Sequence, residues 1–178
     1  EAGFAEMMSS RASELGLTNS HYMNSHGIAE DNHYMSAHDI ARLSAHLIRD
    51  YPDQYHYFAI PEFTWSGIRQ SNRNQLLFRN IGVDGLKTGH TDAGGYGIVA
   101  SAERDGRRLI SVVNGLGSEA ERNAEAGRLL DIGFREYRNY DLFAANEVVA
   151  ELDVWGGAQD AVPAVLINPL HVILSPDT

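Results

Sequence analysis

The sequence contains no cysteine in its 178 residues, which excludes disulfides and thiolate metal sites. That absence names no compartment; the chain merely tolerates an oxidising one. Lysine is nearly as scarce. Lys87 is the only one, and the other thirteen of the fourteen basic residues are arginines. Twenty-four acidic residues against those fourteen leave a net charge of -10. Such a balance disfavours nucleic acid as the main partner, because phosphate binding needs a basic face. No apolar run reaches the roughly 18 residues of a membrane span, and no signal-peptide pattern occurs.

What is present suits a soluble globular protein: 43% hydrophobic and 21% charged residues. The length fits one domain, or one domain plus part of another, and a chain this size buries roughly 70% of its unfolded surface. The chain opens at Glu1 and is helical in pattern almost at once; Leu174-Ser175-Pro176-Asp177-Thr178 closes it just after strand-like residues. Both ends are therefore expected to be cuts through a larger protein.

Phe4, Met7, Met8, Ala12 and Leu15 recur at helical spacing and predict a packed stripe closed by Gly16. The polar stretch from Thr18 to Gly27 predicts a loop or short extended piece. A second helix is expected from Ser36, with Asp39 as capping-box partner, a buried stripe of Ile40, Leu43, Leu47 and Ile48, and a stop at Pro52. Phe63 to Ser66 alternates as a strand ending at Gly67, and Arg69 to Asn74 reads as a connection beside a cleft. Leu76, Leu77 and Phe78 mark a short buried segment. Asp105-Gly106 predicts a type I′ hairpin between strands Tyr96–Ala102 and Leu109–Val113. A long helix follows from Ser118, capped with Glu121, its inner face carrying Ala126, Leu130, Phe134 and Tyr137. Composition changes near Asn139 to Asp141. The expected domains are 1–139 and 140–178, the second opening an all-β unit with strands at Glu147–Trp155, Ala161–Ile167 and Val172–Leu174.

The chemistry gathers at Gly85-Leu86-Lys87-Thr88-Gly89-His90. An ammonium, a small hydroxyl and a glycine on one edge strand make a compact anion site. Gly94, Gly95 and Gly97 downstream let the backbone run close to something. The alternative, a chance tripeptide with a solvated lysine, stands beside it. Arg122 falls four residues before Ala126 and eight before Leu130, on the inward face of its helix, where a cation near the N-terminus needs an anion. Glu119 and Glu121 offer a local ion pair as one answer. The eight histidines, His21, His26, His33, His38, His46, His56, His90 and His171, include no H-E-x-x-H, and the His33–His38 spacing suits neither a helix face nor a zinc finger. No metal or other cofactor is expected, and His26 before Gly27 reads as a packed or capping residue.

Helix, loop, helix, strand, then K-T-G-H on a strand, a hairpin and a back helix resembles the penicillin-binding, D-alanyl-D-alanine carboxypeptidase family. Leu15 to His21, His26-Gly27, Arg69 to Asn74, Val83 to Asp92 and the Trp155 region all look like stretches of its low-molecular-mass members. The resemblance spans essentially the whole chain. It implies an α+β fold: an antiparallel sheet flanked by helices in an incomplete penicillin-binding and β-lactamase-like transpeptidase arrangement, followed by the start of a small all-β domain. In that family a serine of S-x-x-K attacks the penultimate D-alanine carbonyl, with S-x-N relaying protons. Here Asp84 stands three residues before the sole lysine, so these 178 residues hold no S-x-x-K. Nor do Ser9 to Arg11 or Ser71 to Arg73 supply S-x-N, and Asn72 and Asn74 are no substitute.

By resemblance, Lys87, Thr88, Gly89 and His90 form the substrate-holding half of a catalytic site. The His90 N–H is implied as one oxyanion donor, a role worth roughly 3–4 kcal/mol in the transition state. Arg122 is implied to hold the substrate carboxylate. Asp50 and Arg73 match polar positions near the cleft, or form a structural ion pair. The implied substrate is a peptidoglycan stem peptide or a β-lactam, the implied partner an N-terminal segment carrying S-x-x-K and S-x-N, and the implied location the periplasmic or outer face of a bacterial cell envelope. A non-catalytic binder of wall peptides or of a protein, and a β-lactamase relative, are the alternative readings.

Overall fold

A computed structural model describes residues 2–175; Glu1 and the closing Pro176-Asp177-Thr178 lie outside the described residues. The chain forms two compact units that divide between Asp131 and Ile132, within the last long helix. Composition had placed that division at 139/140.

The first unit opens with α1 (Ala2–Glu14), whose last turn is closed by Gly16 at φ +73° and by the Leu17 N–H on the Ala12 carbonyl. Ala5, Ala12 and Leu17 are buried, but Phe4 and Met7 are 51% and 58% exposed. The predicted apolar stripe is therefore only half packed. Met7, Met8, Leu15 and Leu43 instead line an open cavity of about 580 Å³. Two short strands, β1 (Ser20–His21) and β2 (Tyr34–Met35), pair antiparallel and bracket the polar loop.

Helix α2 (Ala37–Asp50) begins where Ser36 Oγ accepts the Asp39 N–H at 3.1 Å. The predicted capping box is not completed. Asp39, fully buried, turns its carboxylate to the Asn19 N–H and the Ser20 hydroxyl, both at 2.7 Å. The Ser36 N–H goes to the Asn19 carbonyl, so the helix start and β1 share one polar knot. Pro52 stops α2 and starts the single turn α3 (Pro52–Tyr55), which runs into a 3-10 turn at His56–Ala59.

Strand β3 (Glu62–Trp65) turns at Ser66-Gly67 into β4 (Ile68–Ser71). The sequence expectation of a connection from Arg69 is corrected here. Ser66 and Gly67 both hold positive φ, the condition for a two-residue hairpin turn. A second 3-10 turn, Gln75–Arg79, buries Leu76 completely but leaves Phe78 51% exposed.

The central sheet is antiparallel and ordered β5 (Val83–Thr91), β6 (Gly95–Arg104), β7 (Arg107–Leu116), so β5 is an edge. The Asp105-Gly106 turn forms as predicted, with longer strands on both sides. The close approach expected of the downstream glycines is to β7 at Gly95 and Gly97, where a Cβ on Gly97 would collide with Asn114 Oδ1, and to Thr91 of β5 at Gly94. Helix α2 packs against β7 and β6. Helix α4 (Glu119–Glu136) meets the sheet where the Ser111 hydroxyl donates to the Ala126 carbonyl. Leu76, Ile98, Ala100, Ala126 and Leu130 form the core between them, each at most 2% exposed. A fully buried leucine contributes roughly 1.5–3 kcal/mol.

The second unit is all-β beyond the helix. β8 (Arg138–Phe143) pairs with β11 (Leu170–Leu174), and β9 (Val148–Asp153) pairs with β10 (Ala161–Val165), all antiparallel. The composition change read as a boundary at 139–141 is thus a strand, β8, that finds its partner some thirty residues on, as His171 on Asp141 shows. With the four helices, this is an α+β fold.

Candidate active site

Strand β5 presents Lys87, Thr88, Gly89 and His90 on the open edge of the sheet. Thr88 is buried; Lys87, Gly89 and His90 are exposed. The Lys87 ammonium donates to the Thr88 carbonyl. Its pKa lies below the ordinary lysine value, chiefly through partial burial and then through the charges of Arg73 and Arg122. Three cations from three parts of the first unit therefore share one field: a strand, the segment after β4, and the first turn of α4.

Arg122 is 2% exposed, as its spacing predicted. Its Nη2 reaches the Arg73 carbonyl at 3.4 Å, its guanidinium lies 5.9 Å from the Tyr96 ring centroid, and its Nε has no partner. The local ion pair with Glu119 or Glu121 is not made. Glu121 instead accepts the Gly117 N–H at 2.9 Å while Ser118 Oγ accepts the Glu121 N–H. His90 packs on the same Tyr96 ring, centroids 4.1 Å apart, so Tyr96 joins the two. Asp50 is drawn elsewhere. At the end of α2 its ion pairs among the described residues are with Arg49 and His46, at 2.7 and 3.1 Å. The hydrogen bond from Arg49, then that from His46, hold its pKa below the usual carboxylate value.

The base of β5 is anchored by residues that sequence reasoning missed. Asp84 is the extra residue of a bulge, between the Val83–Ala102 and Gly85–Ser101 pairs. The Tyr55 hydroxyl donates to its carboxylate at 2.9 Å and Arg108 Nη1 at 2.8 Å. The same Nη1 reaches Ser101 Oγ at 2.8 Å, and Arg108 Nη2 reaches Glu103 at 2.5 Å. Burial, with Asp84 adding to it, pushes the Tyr55 phenol up to about 12. Asn74, 1% exposed, donates from Nδ2 to the Gly85 carbonyl at 2.8 Å and caps the second 3-10 turn by accepting the Leu76 N–H. Among the described residues no group of three or more histidines and carboxylates could hold a metal.

A lysine, a buried threonine and a glycine thus lie on an edge strand, with Arg73 and Arg122 in the electrostatic field of the lysine. A family model described as D-alanyl-D-alanine carboxypeptidase matches residues 1–118. The chain belongs to that family. It is 44% identical over 158 residues to the D-alanyl-D-alanine carboxypeptidase DacA of Escherichia coli K12, covering 88% of this chain and 39% of that protein. It is 39% identical to DacA of Haemophilus influenzae, over 89% of this chain and 41% of that one. Among solved structures, penicillin binding protein 5 from Haemophilus influenzae superposes with TM-score 0.89 at 36% identity, over 98% of this chain and 52% of the other. Penicillin-Binding Protein D2 from Listeria monocytogenes, solved in a cefotaxime-bound form, superposes with TM-score 0.70 at 32% identity, over 75% and 56%. The fold is thus that of the penicillin-binding proteins. The chain spans about two fifths of the length of these curated relatives.

Proposed function

We propose that the chain supplies the carboxylate-holding half of a serine-type D-alanyl-D-alanine carboxypeptidase that acts on peptidoglycan stem peptides in the bacterial cell envelope. The observation that carries this reading is the cation cluster. Lys87 lies in the field of Arg73 and Arg122, and buried Arg122 Nε lacks a protein partner. A buried cation without an anion is costly, and a planar guanidinium suits a carboxylate. The free C-terminus of a stem peptide, or the carboxylate of a β-lactam, meets that need. Thr88 would add a hydroxyl, Gly89 leaves room along the strand, and His90 stands beside the pocket on Tyr96. Arg73 supports through its charge; Asp50 supports only the end of α2.

Hydrolysis also needs a nucleophile, and the 178 residues hold no S-x-x-K. A segment carrying S-x-x-K and S-x-N is the proposed partner. The test joins this chain to such a segment in one polypeptide and measures D-alanine release from a peptide ending in D-alanyl-D-alanine. Release is expected, and Lys87→Ala should reduce it about 100-fold or more, the scale of losing a charge-stabilising donor. Absence of release from a folded, joined protein would overturn the reading.

A further inference from the structure

Three like charges held together repel one another. A site that waits for an anion must hold its cations in place before the anion arrives. Lys87 rides on β5 and Arg122 on α4, both regular elements. Arg73 has neither; it lies in the short segment between β4 and the second 3-10 turn.

We propose that Asn74 is the positioning residue of the cluster: its buried amide ties the Arg73-bearing segment to β5 and so sets the separation of Arg73 from Lys87. Nδ2 donates to the Gly85 carbonyl, two residues before Lys87, at 2.8 Å. Oδ1 accepts the Leu76 N–H at 3.1 Å, and the Asn74 N–H donates to Asn72 Oδ1 at 2.9 Å. Asn72 is itself held by Nδ2 on the Ile60 carbonyl at 3.0 Å. The Arg73 carbonyl, directly before Asn74, receives Arg122 Nη2. One side chain thus closes a path from β5 through Asn74 and Arg73 to α4. It is 1% exposed, so water does not replace the bond if it breaks. The consequence for substrate rests on the carboxylate reading above; the tether itself does not.

Because Lys87 is the sole lysine, [13Cε]lysine incorporated biosynthetically gives one signal. That signal reports the Lys87 pKa and, by titration with N-acetyl-D-alanine, carboxylate binding. The charged groups that face Lys87 are Arg73 and Arg122. Asn74→Ser keeps a cap for Leu76 but cannot reach Gly85. It should raise the Lys87 pKa as Arg73 drifts away, and weaken N-acetyl-D-alanine binding about fivefold to tenfold. In an Arg73→Met background it should change neither, because the residue it positions is gone. Thermal unfolding checks that each variant is folded. Should Asn74→Ser not fold, Asn74→Gln, with its amide displaced by one methylene, should give the same signs. Unchanged pKa and affinity in Asn74→Ser, or the same changes with Arg73→Met present, would overturn the tether. Coupling between Asn74 and Arg73 without N-acetyl-D-alanine binding would leave the tether standing and remove the carboxylate reading.

Discussion

Arg122 carries a charge that the fold has taken out of water without giving its Nε a protein partner. Truncating one side of a buried charge contact costs about 2–5 kcal/mol. In the proposed joined protein, Arg122→Ala should therefore lower kcat/KM by about 30-fold or more on peptides with a free terminal carboxylate. Peptides with an amidated terminus should lose far less. Measuring both substrates in both proteins decides it, and equal fractional losses would make Arg122 a packing residue. Lys87 behaves differently because its ionised form is disfavoured by the fold. With a native pKa below the unfolded value of 10.5, the unfolded chain binds more protons between the two values, so stability rises with pH across that window. Below it the cost of the charge is present in full. Lys87→Met should accordingly not lower the melting temperature at pH 7, and should remove the Lys87 contribution to stability that grows with pH between its native value and 10.5. A clear drop in melting temperature at pH 7 would mark Lys87 as structural.

At the scale of elements, the edge strand is held from two directions at Gly85. Asn74 takes its carbonyl, and Tyr55 crowds its Cα, where an added Cβ would lie 2.4 Å from the phenol oxygen. Gly85→Ala should destabilise by about 1–3 kcal/mol, the range for overpacking a filled site. Tyr55→Phe removes the clashing oxygen, so Gly85→Ala should cost less in that background; chemical denaturation of the four proteins measures the cycle. Equal cost in both backgrounds would place the strain elsewhere. Much of this element level was legible in the sequence. Asp105-Gly106 named its hairpin because positive φ at both positions needs such residues. Ser66-Gly67 does the same job with a weaker signal, and β4 was missed. Asp39 shows a further limit. Its position matched a capping box, but its carboxylate is claimed by Asn19 and Ser20, twenty and nineteen residues away, which local spacing does not reveal. The K-T-G stretch and Arg122 were visible as residue types at fixed spacing. Asn74 and Tyr96 were not, because their roles exist only once β5, β6 and α4 are brought together.

At the scale of the whole molecule, the pattern on α1 predicted packing that the chain does not provide. Phe4 and Met7 stand exposed because, among the described residues, only the Ala5 and Ala12 side of the helix is covered. A periodic stripe reports that a face is apolar, not what covers it. The same separation bears on the proposed chemistry, in which this chain holds the substrate and another segment attacks it. Acylation by a β-lactam forms an ester between a serine oxygen and the opened ring carbonyl, and the serine needs a base to accept its proton. Lys87 is the only lysine, Asp84 stands three residues before it, and its ammonium is engaged by the Thr88 carbonyl. Incubation of the 178-residue chain with penicillin should therefore leave its intact mass unchanged, while the [13Cε]lysine signal shifts as the drug's carboxylate meets the cluster. Mass spectrometry and the lysine titration on the same sample separate holding from reaction. A stoichiometric mass increase that maps to a serine of this chain would show that it contains a nucleophile after all.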